Sequence, residues 1–235
     1  MADSSSSPPN DLPVAVRDLA IRLGAEPQGR GAIVRLTQTG RMKRALGSDS
    51  WMSFSARQTI ASGTCGFAWR ARFGPIGMIS VCDALDDGVA RLDVAALGFI
   101  PIARTPRTSA LVRGELMRYL AELAWSPDAI LSNPSLRWRI DGPDRLVVGA
   151  GIGASAVEVV LTLDIEGRIV EAFAPDRPRS PTEPILPTPW RGYFTDYRFH
   201  RGRWLPFAGE VGWEIAGREE IYWQGRILDW RIGQP

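Results

Sequence analysis

Three charged residues, Glu115, Arg118 and Glu122, stand at i, i+3 and i+7 in the stretch GELMRYLAELAWSP, residues 114–127. At 3.6 residues per turn they share one face of a helix. Two chemistries are open to such a set. In solvent they form a ladder of ion pairs worth about 0.2–0.5 kcal/mol per pair. Turned into a cavity, they could anchor a ligand, or Glu115 or Glu122 could act as acid or base while Arg118 steadies developing negative charge. An arginine beside two acids keeps both ionised, which suits binding better than proton transfer. The neighbouring face carries Leu116, Leu120 and Leu123 at i, i+4 and i+7 with Tyr119 beside them, an apolar stripe at helical period. With that stripe so close, the exposed ladder is the favoured reading.

Aromatic residues are the second source of candidates. Trp69 and Trp138 sit on alternating strand faces where packing accounts for them. The other seven of the nine tryptophans are harder to place in one small core, so some could line an apolar pocket, although core is the favoured reading for any single one. The residues nominated for ligand contact are Tyr119, Trp69, Trp125, Arg177, Trp190 and Tyr197, with Asp83 and Asp176 as further acid-base candidates.

Other motifs yield to plainer readings. Gly149, Gly151 and Ala154 in VVGAGIGAS, with Glu171 about twenty residues on, nearly match a dinucleotide-binding fingerprint. That fingerprint needs a helix directly after its glycines, whereas Val157, Val159, Leu161 and Leu163 alternate as in a strand. A glycine-rich hairpin loop is therefore expected, and no cofactor. His200 is the sole histidine and falls at an expected hairpin tip, so neither a His-ligated metal nor a Ser-His-Asp triad is expected. Basic and aromatic residues interleave at Arg137-Trp138-Arg139, but alternation sends the tryptophan and the arginines to opposite faces, so stacking and phosphate contact would not converge.

Composition sets outer bounds. The chain of 235 residues is 45% apolar and 23% charged, with a net charge of +2, as in an ordinary globular protein and unlike a dedicated nucleic-acid binder. Of its 28 basic residues all but Lys43 are arginine, spread along the whole chain in the manner of a GC-rich genome. Cys65 and Cys82 make no disulfide framework or metal spacing. The opening MADSSSSPPND lacks the apolar segment of a signal peptide, and no apolar run reaches membrane-spanning length, so a cytoplasmic location is expected.

These residues must be positioned by strands, for the most part. Phe67, Trp69, Ala71 and Phe73 share one face while Ala68, Arg70 and Arg72 share the other, which is period two with one dry side. Asp86-Asp87-Gly88, Ile165-Glu166-Gly167-Arg168 and His200-Arg201-Gly202 read as tight turns. Leu12 to Leu23 suits a short amphipathic helix ended by Gly24, and Pro127 stops the 114–127 helix. Prolines at 175, 178, 181, 184, 187 and 189 mark residues 175–189 as an irregular loop. Consecutive hairpins of about ten strands predict an α+β fold: a strongly curved antiparallel sheet, or half-barrel, with two or three helices packed on its concave face. Residues 1–11 are expected to be a disordered tail and 12–235 a single domain.

Several stretches together carry a family resemblance: WMSFSARQTI (51–60), GFAWRAR (66–72), GELMRYLAELAWSP, PDRPR (175–179), TPWRGYFTDYR (188–198) and EIYWQGRI (220–227). Through them the chain resembles a bacterial domain-of-unknown-function family, number 6544, from about Leu12 to its end. Pro178 departs from the aromatic expected at that place. TDYRFHRGRWLPFAGEV is similar in rhythm to lipoprotein-carrier half-barrels, in which a curved sheet closes over helices around an apolar cavity. The resemblance implies this fold and brings no catalytic residues. The reading that follows is a binder of a hydrophobic small molecule or lipid, with a cofactor-independent cyclase, isomerase or hydrolase in the same cavity as the alternative and a protein-interaction module third. Oligomeric state is left open.

Overall fold

The computed structural model describes residues 12–234, save 30, 75, 97–99 and 181–183; the expected tail at 1–11 lies outside them. After helix α1 (Val14–Arg22) come strands β1 (Ile33–Lys43), β2 (Trp51–Ala61), β3 (Phe67–Phe73), β4 (Ile79–Asp86), β5 (Val89–Ala96) and β6 (Ile100–Arg104). Two helices, α2 (Ser109–Ala121) and α3 (Asp128–Ser132), separate these from β7 (Arg137–Ile140), β8 (Arg145–Ala150), β9 (Val157–Leu163), β10 (Ile169–Pro178), β11 (Pro187–His200), β12 (Arg203–Ile215) and β13 (Arg218–Gly233).

All thirteen strands form one antiparallel sheet in the order β6-β5-β4-β3-β2-β1-β13-β12-β11-β10-β9-β8-β7. Each half is a meander, and the pairing of β1 with β13 joins the two halves at mid-sheet. The two edge strands, β6 and β7, are therefore neighbours in sequence. The segment between them, α2 and α3, has to cross from one edge of the sheet to the other. Accordingly α2 touches β4 and β5 on one side and β8, β9 and β10 on the other. Register irregularities in the pairings of β1, β5, β10 and β12 add local twist and help the sheet curl into a half-barrel.

Thirteen strands replace the expected ten or so. The two that periodicity misses are β2, whose inward face mixes Phe54, Ala56, Gln58 and Ile60, and the short edge strand β6. The proline-rich stretch is also corrected, since β10 runs through Pro178 and β11 starts at Pro187, with Arg177 opposite Thr188 and Pro178 opposite Pro187. Beyond Phe173 the strand β10 has no partner on its β9 side, so proline there forfeits no ladder bond.

Local chemistry explains the helix limits. The side chain of Thr108 accepts a hydrogen bond from the Leu111 N–H at 3.1 Å and caps α2, which begins at Ser109, ahead of Gly114. The helix then tightens into a 3-10 turn at Glu122–Ala124 before Pro127. At the end of α1, Gly24 takes φ +71° and the N–H of Ala25 bonds back to the carbonyl of Ala20, a left-handed cap that needs no Cβ. The stripe residues Leu116, Leu120 and Leu123 join Val148, Val159 and Leu161 in the core. Each such side chain contributes about 1.5–3 kcal/mol by leaving water. Among the described residues no helix is long and apolar enough to cross a membrane.

Candidate functional site

A cavity of about 440 Å³ opens between α2 and the sheet. Strand alternation builds most of its floor, from Trp190, Gly192 and Phe194 on β11 and Gly209, Val211 and Trp213 on β12, with Tyr193 and Glu210 also lining it. Gly192 matters here because a Cβ would come no nearer than 3.9 Å to Trp190 and 4.0 Å to Phe194, so its bareness leaves room. Five of the nine tryptophans, Trp69, Trp125, Trp190, Trp213 and Trp223, line the space. Trp125 packs edge-on against Phe194 and Trp223, and Trp213 stacks on Tyr222, so the walls are held by aromatic contacts as well as by the sheet.

The Glu115-Arg118-Glu122 face of α2 points into this cavity, and the exposed ladder is corrected. Glu115 is 4% exposed and Glu122 6%. The reason is topological: a helix that crosses the sheet between its two edge strands has strands on both sides, so its polar face is enclosed with its apolar one. The i,i+4 ion pair is present, with Arg118 Nε donating to Glu122 Oε1 at 2.8 Å, but partners arrive from distant strands too. Arg118 Nη1 donates to Asp83 Oδ2 on β4 at 2.6 Å, and the guanidinium lies over the rings of Phe67 and Trp69. A relay continues along the sheet. Trp69 Nε1 donates to Gln38, Gln38 to Gln58, and Gln58 to Glu122 Oε2. Burial opposes the charge on Arg118, but Glu122, Asp83 and Glu115 outweigh it and hold its pKa above the ordinary arginine value.

Glu115 is different. Its Oε1 lies 3.7 Å from Arg177 Nη2, too long for a hydrogen bond, and its buried Oε2 has no partner. Asp83 Oδ1 is likewise buried without a partner. Burial, and after it the nearby Asp83 charge, push the Glu115 carboxyl up to about 8, against the weaker pull of Arg177 and Arg118. A proton on Glu115 lets it hydrogen-bond to the Asp83 carboxylate, which suits two acids held side by side away from water.

Of the residues nominated from sequence, Glu115, Arg118, Glu122, Asp83, Trp69, Trp125, Arg177 and Trp190 meet at the cavity. Three nominees, Tyr119, Tyr197 and Asp176, lie elsewhere. Tyr119 is fully buried outside the cavity lining, donating to the carbonyl of Ala61 at 3.0 Å and accepting from Asn133 Nδ2 at 2.9 Å. Tyr197 donates to the carbonyl of Ile169 at 2.6 Å. Burial raises the pKa of both phenols. Asp176 pairs with Arg113 and is half exposed. His200 packs against Phe207 and Trp230. Gln38, Gln58, Trp213 and Trp223 join the site without having been nominated. Gln38 and Gln58 carry a signal in the sequence: each is a polar residue at an inward strand position between apolar ones. Among the described residues, no group of three or more His, Cys, Asp and Glu side chains is arranged to hold a metal.

The sequence model of the Family of unknown function (DUF6544) matches residues 4–225. The chain belongs to this family. Among solved structures it is similar to a LolA superfamily protein, NE2245 from Nitrosomonas europaea, at 12% identity and a TM-score of 0.48, covering 93% of this chain and 94% of that one. It is also similar to a DUF1329 family protein from Desulfovibrio piger at 11% identity and a TM-score of 0.49, covering 92% and 91%. No curated protein matches the chain by sequence.

Proposed function

We propose that the protein binds a hydrophobic small molecule or lipid in the cavity between the curled sheet and α2, with residues 12–235 acting as one half-barrel domain whose helices pack on the concave side. The observation that carries this reading is the cavity itself: about 440 Å³, walled by five tryptophans and by aliphatic side chains such as Met42 and Leu92. Small-molecule sites have this volume and this apolar lining, with a few convergent polar groups. The test is native mass spectrometry of the purified protein, followed by denaturing extraction of whatever remains bound. An apolar metabolite or lipid released only on unfolding is the expected result. A protein free of any bound molecule that also binds no hydrophobic probe, such as 1-anilinonaphthalene-8-sulfonate, in its native state would end the proposal.

A second reading has its own observation. Glu115, buried at the cavity with a carboxyl pushed up to about 8, suits a general acid or base near neutral pH. A cofactor-independent cyclase, isomerase or hydrolase acting on a hydrophobic metabolite would use Glu115 for proton transfer and Arg177 for developing negative charge. Conversion of the extracted molecule by the wild-type protein but not by Glu115→Gln separates this reading from simple binding.

A further inference from the structure

We propose that the cavity's ligand is a carboxylate-headed amphiphile, a long-chain monocarboxylic acid, whose head is gripped by Arg177 while its tail lies along the tryptophan-lined wall. This deepens the binding reading above and rests on it.

The inference starts from how differently the buried arginines are occupied. Arg118 makes close ion pairs with both Asp83 and Glu122. Arg203, outside the cavity lining, is held by Asp128 and Glu26. The side chain of Arg177 is 9% exposed, yet among the described residues its sole acidic neighbour within ion-pair distance is Glu115 at 3.7 Å. Its Nε donates to the carbonyl of Gly114 at 3.1 Å, and its guanidinium lies over the rings of Trp190 at 4.5 Å and Trp213 at 5.6 Å. Among the described residues Nη1 and Nη2 make no hydrogen bond. They are two forked donors at the wall of a cavity.

The charge balance points the same way. Asp83 and Glu115 each keep a buried oxygen without a partner, and a proton on Glu115, hydrogen-bonded to Asp83, leaves Glu115 neutral. Arg177, largely buried at the cavity wall, is then left without a neutralising carboxylate, and an anion entering the cavity completes it. Arg179, also at the cavity, adds to the positive side of the balance. A planar carboxylate fits a guanidinium fork with two parallel hydrogen bonds. A phosphate dianion would bring a second negative charge towards Asp83, Glu122 and the cavity-lining Glu210, which the site does not offset. An ammonium head would meet Arg177 and Arg179 as like charges. The ring faces of Trp190 and Trp213 hold the guanidinium in place and begin the apolar track for the tail.

The experiment is titration of the full chain at neutral pH with four amphiphiles of one tail length below their micelle concentrations: dodecanoate, dodecan-1-ol, dodecyl phosphate and dodecylamine, followed by tryptophan fluorescence and calorimetry. Dodecanoate is expected to bind at least tenfold more tightly than the alcohol, the phosphate or the amine. In Arg177→Gln the preference for dodecanoate over the alcohol is expected to disappear, and Arg177→Lys is expected to recover part of the preference. Equal binding of dodecanoate and dodecanol, or tighter binding of the phosphate or the amine, would overturn the head-group assignment and leave the binding reading standing. Binding of none of the four would sink both. The ranking by the wild-type chain decides the matter even if the Arg177 variants fail to fold.

Discussion

Replacing Glu115 by Gln tests the electrostatics of the cavity directly, because glutamine has the shape of the protonated acid and cannot ionise. The carboxyl is pushed from an ordinary 4.5 up to about 8 in the folded protein, chiefly by burial. Below about pH 4.5 both folded and unfolded chains hold the proton, and Glu115 adds no pH dependence. Between about 4.5 and 8 the unfolded chain releases it while the folded chain keeps it, so stability falls as pH rises; above about 8 the penalty is fully present. At 1.36 kcal/mol per pH unit, the ceiling is about 5 kcal/mol. With a urea m-value of about 2–3 kcal/mol/M, that corresponds to a midpoint difference of up to about 2 M. The assay is urea unfolding of the wild type and Glu115→Gln at about pH 5, 6.5 and 8.5. The wild type is expected to lose stability relative to the variant at each step. Parallel profiles, with the two proteins offset by a constant amount across the whole range, would refute the reasoning and mean that Glu115 is not the proton-holding group.

Three further outcomes follow from the same geometry. Arg118→Leu leaves Asp83 and Glu122 buried without their cation, and is expected to cost about 3–5 kcal/mol in urea unfolding. Arg203→Met strips the counter-charge from Asp128, which is 0% exposed, and is expected to cost about as much, 3–5 kcal/mol. The folded fraction of that variant should bind dodecanoate with unchanged affinity, as calorimetry can check, because Arg203 lies outside the cavity lining. Gly192→Leu adds a side chain where a Cβ meets only Trp190 and Phe194 at ordinary contact distances, so it should fit the strand and occupy the cavity. Ligand affinity is expected to drop by about tenfold or more, equivalent to at least about 1.4 kcal/mol, with the thermal midpoint held or raised.

How much of the fold is legible in the chain differs element by element. Phe67 to Phe73 announces a strand because a dry face at period two suits a half-buried strand and little else, and Asp87 and Gly88 take the positive φ values, 45° and 73°, that a tight hairpin turn requires. Local alternation is enough to set aside the near-match to a dinucleotide fingerprint, and β8 and β9 do flank it. The family resemblance is equally a property of the sequence. By contrast β2 is hidden, since Gln58 and Ala56 on its inward side weaken the alternation that marks a strand. The prolines of β10 mislead because what makes them tolerable, an unpaired side beyond Phe173, belongs to the neighbouring strand.

The candidate site divides along the same line. Helical spacing alone puts Glu115, Arg118 and Glu122 on one face and the leucines on the next, and the tryptophan excess alone suggests a pocket. Spacing within a helix says nothing about what lies across from each face. That is decided by the β1–β13 pairing, which leaves β6 and β7 at opposite edges, so that α2 has to cross the sheet with strands on either side. Only then do Asp83, 35 residues before Arg118, and Gln58, 64 before Glu122, reach the helix and turn a surface ladder into a buried network. The same crossing leaves Arg177 against Trp190 and Trp213 with Glu115 as its distant partner. Local periodicity is a short-range property and survives in the bare sequence. The pairing of charges across a cavity depends on contacts between residues far apart in the chain, and those exist only once α2 lies against strands from both halves of the sheet.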